Sequence, residues 1–345
     1  MEKVILKKDF PEWMKSLKAY KIYAPCKTED FWSYKIIEEP ESIDLVYPNT
    51  KVPAKEIIYP QREVLFEFKN SDQGPQLFET LPQQEQVVVF GLRPCEGRAF
   101  ILYDKVFGGQ FEDLYYWRRR KATVLVGLAC NTPPSPNCFC LSVNGSPHSK
   151  EGLDVLMTEL DNSYYVESLS PKGEKLLKEA EKKFRQPKAE EKKLREKLWL
   201  ESEKKVTRNL IELESIHSKL KDMFDSSFWD EESMSCIRCG ICTYLCPTCH
   251  CFDMNDELAS SSPLIGKRVR TWDTCQFPDF TMHSSGHNPR PDKASRLRQR
   301  ILHKFQYFVE TFGNYQCTGC GRCISLCPVG IDIIEVLNKV RDYES

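Results

Sequence analysis

The chain has no apolar run long enough to cross a lipid bilayer. Its longest apolar stretches lie near residues 87–92 and 124–129, whereas a membrane-spanning helix needs about 20 residues. The first residues, MEKVILKKDFPEWMKSLK, also lack the apolar core of a secretory signal. We therefore expect a cytoplasmic protein that does not insert into a membrane directly.

The chain also has almost no net charge and no nucleotide-binding fingerprint. Its 49 Lys and Arg residues are balanced by 50 Asp and Glu residues, which leaves a formal net charge of -1. This balance offers no general attraction to nucleic acid or to an anionic membrane. Neither a G-x-G-x-x-G nor a Walker motif is present, and no Ser, His and Asp arrangement indicates a hydrolase. We expect no nucleic-acid partner.

Cysteine, by contrast, is abundant, with 16 residues placed mostly in short runs. In a cytoplasmic protein this indicates reduced metal ligands and not a disulfide framework. Residues 236–247 and 317–328 each contain C-x2-C-x2-C-x3-C-P, the pattern of bacterial two-cluster ferredoxins, in which the fourth cysteine binds the other cluster. The predicted ligands are Cys236, Cys239, Cys242 and Cys327 for one 4Fe-4S cluster and Cys317, Cys320, Cys323 and Cys246 for the second.

Zinc is the main alternative for a single C-x2-C pair, but two complete runs with both prolines favour iron-sulfur clusters. Gly240, Gly319 and Gly321 lie within the loops, where glycine relieves crowding of the backbone beside a cluster. Two such clusters relay single electrons. We therefore expect any catalytic chemistry to lie elsewhere.

Residues 1–168 have the pattern of an α/β domain. Short β-branched runs at 86–92 and 123–129 predict buried strands, and residues 98–107 between them have helical spacing. Cysteines follow both strands, and they converge at one sheet edge if the strands pair in parallel. These residues either bind a third 4Fe-4S cluster or are buried apolar cysteines; they are Cys95, Cys130, Cys138 and Cys140.

The remainder predicts a charged helical segment at residues 169–230 and a two-cluster ferredoxin-like domain at residues 231–345, which makes the fold α+β overall. The charged segment is interpreted as solvated helices or as a docking surface. Within the C-terminal domain, a helical insertion of about five turns precedes the second loop. The cations on one of its faces either steer an acidic partner or are solvated; they are Arg296, Arg298, Arg300 and Lys304.

Four cysteines lie outside these sets. Cys249, Cys251 and Cys275 have three interpretations: they bind zinc or a further cluster together with a histidine, one pair forms a redox-active dithiol, or they tune the neighbouring cluster. The candidate histidines are His250, His283 and His287. Cys26 stands alone and is interpreted as structural.

Longer motifs make the chain resemble the iron-sulfur subunits of two related kinds of soluble enzyme, anaerobic sulfite reductases and sulfhydrogenase-type nickel-iron hydrogenases; in the hydrogenases this is the beta subunit. The motifs are IIYPQREVLFEF, GLRPCEGRAF, CNTPPSPNCFC, CPTCHCFDMNDE, WDTCQFPDF, GHNPRPDKASRLRQRILHKF and the second loop, CTGCGRCISLCP. They are spread over most of the chain. One departure is Glu96, where the family pattern has Asp.

The resemblance implies an electron-transfer subunit without substrate chemistry of its own, and it favours the third cluster. Electrons would pass between a flavoprotein similar to ferredoxin-NADP reductases and a catalytic subunit, in an anaerobic hetero-oligomer of hydrogenase, sulfite reductase or heterodisulfide reductase type. One alternative is a catalytic thiol/disulfide reductase that uses Cys249, Cys251 or Cys275 beside a cluster. Another is an iron-sulfur sensor or scaffold.

Overall fold

The computed structural model describes residues 1–343 except 41, 42, 44, 72 and 211. Within them the strands are β1 (Glu2–Leu6), β2 (Lys21–Lys27), β3 (Trp32–Ile36), β4 (Arg62–Ser71), β5 (Gly74–Glu79), β6 (Val87–Leu92), β7 (Thr123–Leu128), β8 (Val155–Glu159), β9 (Ser163–Ser168), β10 (Phe252–Ser261) and β11 (Leu264–Trp272). The helices are α1 (Phe10–Ser16), α2 (Lys55–Ile58), α3 (Pro94–Phe107), α4 (Leu114–Ala122), α5 (Pro171–Lys178), α6 (Ala189–Lys204), α7 (Leu213–Leu220), α8 (Phe228–Glu232), α9 (Ile241–Tyr244), α10 (Lys293–Leu302), α11 (Phe308–Phe312), α12 (Arg322–Ser325) and α13 (Ile333–Asp342). Mixed helices and sheets confirm the α+β class.

A seven-stranded sheet forms the N-terminal half, in the order β1-β9-β8-β7-β6-β2-β3. Its four central strands run parallel, whereas β1, β9 and β3 pair antiparallel at the edges. The predicted strand, helix, strand unit is present as β6, α3 and β7, because two short β-branched runs flank a longer segment with helical spacing. The carboxyl ends of β6 and β7 therefore lie side by side.

A second, four-stranded antiparallel sheet has the order β10-β11-β4-β5. Two hairpins from opposite ends of the sequence form it, since β11 pairs with β4. At this junction Arg270 lies opposite Glu63 in the register and contacts its carboxylate at 2.5 Å, while a second contact joins Arg270 to Asp113. The pairing crosses the domain boundary that the sequence predicts near residue 230.

Both faces of the large sheet are covered by apolar side chains. Trp13 of α1 is fully buried on one face, and Tyr103 of α3 is buried on the other. A separate core lies among α7, α8, α10 and α13, and it includes Phe139 from the N-terminal half. Across the described part of the chain, no helix combines the length and the apolar character that a membrane span requires.

The predicted five-turn helix is present as α10 and α11, joined by a π-helical turn at His303–Tyr307. Asp292 caps its first turn by accepting a hydrogen bond from Ser295 N at 2.7 Å. The helix runs behind both cysteine loops. It therefore presents one row of side chains to the cysteines.

Candidate metal centres

The four cysteines predicted for the first cluster line one cavity, which we call site 1. They are Cys236, Cys239, Cys242 and Cys327. Backbone amides point at two of the sulfur atoms: Arg238 N lies 3.4 Å from Cys236 Sγ, and Ile331 N lies 3.2 Å from Cys327 Sγ. N–H donors of this kind stabilise the negative charge of cluster ligands, so the donor set fits a 4Fe-4S cluster.

The four cysteines predicted for the second cluster line an adjacent cavity, site 2. They are Cys246, Cys317, Cys320 and Cys323. Cys323 also lines site 1. The fold thus brings the fourth cysteine of each run to the cavity that the other run forms, and the two sites share a wall.

The two loops have matching backbone conformations. Gly240, at φ 76°, begins the short helix α9, and Gly321, at φ 73°, begins α12. Each helix carries the third cysteine of its run, Cys242 or Cys323. A left-handed residue at the same place lets each chain turn tightly enough for three cysteines to surround one centre.

The four N-terminal cysteines also line one cavity, site 3; they are Cys95, Cys130, Cys138 and Cys140. Cys95 lies in the first turn of α3, just after β6, and Cys130 follows β7. Burial raises the pKa of Cys138 to about 12 and that of Cys140 to about 12. Thiols this buried ionise only when a cation stabilises the thiolate, which is what a coordinating metal supplies.

Site 3 lies against site 2 through the second cysteine loop. Gly319 of that loop lines site 3, and Cys320 lines both site 3 and site 2. Phe139 N donates to Gly319 O at 2.8 Å. A Cβ atom on Gly319 would lie 2.5 Å from Cys140 N, and the residue has φ +66°. Only glycine permits this approach. Because site 2 shares Cys320 with site 3 and Cys323 with site 1, the sites form a row in the order 3, 2, 1.

A buried ion pair bridges the same junction. Arg322 Nη2 donates to Glu96 Oε1 at 3.0 Å, and both side chains are 2% exposed. Glu96 Oε2 also accepts from Tyr34 Oη at 2.6 Å, and Ala54 N donates to Oε1 at 3.1 Å. The Glu that departs from the family pattern thus fixes the second loop against the N-terminal half.

The interpretation of the helical cations as a solvated or partner-steering face is wrong for three of the four. Arg296, Arg300 and Lys304 are 0%, 5% and 2% exposed, and only Arg298 points outward, with its guanidinium over the Phe224 ring. The three recur every four residues beside the apolar stripe, so they share the inward side of the helix. Their spacing of four residues was the sequence signal that puts the three side chains on one side of a helix.

The inward cations meet the cysteines. Lys304 Nζ lies 3.4 Å from Cys246 Sγ, and Arg300 lines both site 1 and site 2. Burial lowers the pKa of Lys304, but the Cys246 and Cys249 thiolates outweigh it, so the net shift is upward. The same balance of burial against thiolates, chiefly that of Cys242, raises the pKa of Arg300. Both side chains are therefore cationic.

The three extra cysteines lie beside sites 1 and 2 without lining either cavity. The Cys249 thiol contacts that of Cys246, and the Cys251 thiol contacts that of Cys275. Lys55 Nζ donates to Cys249 O at 2.9 Å. Cys26 lies on β2, outside all of these sets.

The histidines weighed for zinc do not complete a site with these thiols. His250 is half-buried, and its Nδ1 lies 3.0 Å from Gln316 Nε2; desolvation lowers its pKa to about 4. His283 and His287 contact each other, with ring centroids 5.4 Å apart. Among the residues that the structure describes, no three His, Cys, Asp or Glu side chains are arranged to hold a single metal ion.

Comparison with known proteins agrees with this arrangement. The family described as 4Fe-4S dicluster domain matches residues 235–331, the part that holds sites 1 and 2. The sulfhydrogenase 2 subunit beta of Pyrococcus furiosus is 30% identical over 335 residues, which cover 96% of each chain. The chain belongs to this family of sulfhydrogenase beta subunits.

Membership of the beta-subunit family confirms the resemblance expected from the motifs. The dicluster match also confirms two 4Fe-4S clusters in the C-terminal part and an iron-sulfur electron-transfer role. No solved structure matches the chain. The third cluster, the ligand assignments and the partners remain predictions.

Proposed function

We propose that this beta-family chain is an electron-transfer subunit in which sites 3, 2 and 1 form one relay. When loaded, each site supplies a one-electron carrier of the 4Fe-4S type. The observation that carries the proposal is the sharing of walls: Cys320 lines sites 3 and 2, and Cys323 lines sites 2 and 1. Adjacent sites are what single-electron transfer requires.

Site 1 supplies the exchange point with a partner. Cys239 is exposed, and the neighbouring Met234 and Ile237 are 69% and 60% exposed. Exposed apolar side chains beside a cofactor are typical of protein docking surfaces. Site 3 is the other end of the relay, and its Cys130 and Cys138 are each only 7% exposed.

The partners we propose are a flavoprotein similar to ferredoxin-NADP reductases and a catalytic subunit of hydrogenase, sulfite reductase or heterodisulfide reductase type. The relative's name supports a hetero-oligomer, because it is one subunit of a sulfhydrogenase. The proposed compartment is the cytoplasm. The chain itself performs no substrate chemistry in this proposal.

An anaerobic iron and acid-labile sulfide count tests the relay. The reconstituted chain is expected to hold about twelve iron atoms, four for each cubane. The Cys138→Ser/Cys140→Ser variant should lose about four, whereas Cys26→Ser should lose none. A wild-type count of about eight, or an unchanged count in the double variant, contradicts a cluster at site 3.

The thiol/disulfide reductase alternative has one supporting observation, the contact between the Cys251 and Cys275 thiols. A reductase needs two thiols close enough to form a disulfide. The Cys251→Ser/Cys275→Ser variant separates the two functions. Loss of disulfide turnover with intact cluster spectra favours the reductase, whereas retained disulfide turnover, or none in the wild-type chain, removes the reductase and leaves the relay.

A further inference from the structure

Two buried cations line sites 1 and 2 without a carboxylate partner; Arg300 lines both sites and Lys304 lines site 2. Arg300 is 5% exposed and Lys304 is 2% exposed. Within the described residues, neither side chain forms an ion pair with Asp or Glu. Arg300 Nη1 is buried and has no hydrogen-bond acceptor. A buried charge of this kind is strongly unfavourable unless a counter-charge lies nearby.

Cysteines lie beside both cations, and Lys304 also contacts neutral oxygens. Lys304 Nζ donates to Thr248 Oγ1 at 3.1 Å and to Gln316 O at 2.9 Å, and its third contact is Cys246 Sγ at 3.4 Å. Arg300 lines both cavities, with Cys242 on the site 1 side and Cys323 on the site 2 side. The thiolates of the cysteines at sites 1 and 2 therefore supply the negative charge that balances Arg300 and Lys304.

A third buried cation provides an internal contrast. Arg322 lies beside Cys320 of site 2 and is as buried as the other two, but the Glu96 carboxylate at 3.0 Å neutralises it. The chain thus pairs a cation with a carboxylate at the junction of sites 2 and 3. Beside site 2 it leaves two positive charges, Arg300 and Lys304, for the metal centres themselves, and Arg300 also lines site 1.

We propose that Arg300 and Lys304 are positioning residues that raise the reduction potentials of sites 1 and 2, Arg300 acting on both sites and Lys304 on site 2. A 4Fe-4S centre with four thiolates gains one negative charge when it takes up one electron. In a low-dielectric interior, a fixed positive charge stabilises that reduced state more than the oxidised state. The inference rests on the proposed function, since it requires clusters at both sites.

The experiment is an anaerobic redox titration of the iron-loaded full chain, followed by EPR. Lys304→Met should lower the potential of one of the two C-terminal couples, and Arg300→Met should lower both. Arg298→Met is the matched control, because it removes the same charge from the same helix on the outward side, and it should leave all potentials unchanged. Arg300→Lys and Lys304→Arg keep the charge and should restore potentials close to wild type.

The iron and sulfide count comes first, because it separates the two proposals. A wild-type chain without cluster iron contradicts the proposed function. If the fully loaded Lys304→Met chain keeps wild-type potentials, the present inference is overturned and the proposed function stands. This conclusion does not depend on the result for Arg300→Met. If Arg300→Met fails to load, the comparison of Lys304→Met with Lys304→Arg decides the question. A potential that falls in Lys304→Met but not in Lys304→Arg supports the inference. Equal potentials in the two variants overturn it.

Discussion

At the scale of single residues, two interior cations near the cysteines follow one rule, which is that each has an anionic partner. Arg322 faces the Glu96 carboxylate, and Lys304 faces the Cys246 thiol. Because both kinds of partner are anionic when the centres are loaded, removing one member leaves the other uncompensated. The cost depends on burial, since water screens a charge at the surface but not in the core.

Glu96→Gln tests this rule at the junction of sites 2 and 3. The variant leaves Arg322 buried without a counter-charge, which should lower the free energy of unfolding by about 3 kcal/mol. Urea denaturation of the loaded chain measures the change. Glu67→Gln is the control, because Glu67 is 44% exposed and pairs with Lys267, 47% exposed, at 2.7 Å; it should cost less than about 1 kcal/mol. Equal losses in the two variants would show that the buried pair has no special role.

Gly319→Ala tests the close approach of the second loop to site 3. The added Cβ atom meets Cys140 N at 2.5 Å, so the loop must move away and the iron content should fall. Gly313→Ala separates this clash from backbone strain, because Gly313 has φ +69° and open space around it. The control should cost about 1–2 kcal/mol and keep its full iron content. Full loading of Gly319→Ala would refute the close packing of sites 2 and 3.

At the scale of elements, local sequence patterns predicted the helices and strands better than they predicted the direction of individual side chains. The β6, α3 and β7 unit followed from period and from β-branched residues, and the parallel pairing then brought Cys95 and Cys130 to one edge, as expected. The inward direction of Arg300 could not be predicted in this way. Charged residues normally face water, and only the cysteines, distant in sequence, make an interior position favourable.

The pairing of β11 with β4 was equally hidden from the sequence. Their residues lie about 200 positions apart, as Arg270 and Glu63 illustrate, and no turn signal joins them. The alternation of apolar and polar residues and the turn residues predict each hairpin separately, but they do not predict which strands of the two hairpins pair. Register between two hairpins is decided by side-chain packing and by ion pairs, which only the folded chain reveals.

Helix α6 is rich in charged residues, but its Trp199 side chain packs against the large sheet. Trp199 stacks on His148 with ring centroids 4.5 Å apart, and its Nε1 donates to Thr158 Oγ1 on β8 at 3.1 Å. Trp199→Ala should therefore lower the free energy of unfolding by about 3 kcal/mol. Leu200, 62% exposed on the same helix, is the control, and Leu200→Ala should change stability by less than about 0.5 kcal/mol. Thermal and urea unfolding measure both; similar small changes would mean that α6 is not docked on the sheet.

At the scale of the whole molecule, the row of three sites runs across the two halves of the chain. Site 3 belongs to the N-terminal sheet, sites 1 and 2 belong to the C-terminal loops, and the contact between Phe139 N and Gly319 O joins them. The β4 and β11 pairing and the bond from Trp272 Nε1 to Tyr59 O, at 3.1 Å, form a second connection. The arrangement of the three sites thus depends on the halves folding together.

The fragment of residues 231–345 tests this dependence. Expressed alone, it retains all eight cysteines of sites 1 and 2, but β11 loses β4, one of its two partner strands, and becomes an edge strand, and Arg322 loses Glu96. An unpaired edge strand promotes aggregation, and an unpaired buried cation costs several kcal/mol. We expect the fragment to be poorly soluble and under-loaded, and coexpression with residues 1–230 to restore a soluble, fully loaded pair. Gel filtration with iron analysis measures both outcomes. A soluble monomeric fragment with about eight iron atoms would instead mean that the C-terminal part folds and loads independently, so that the N-terminal half only adds site 3.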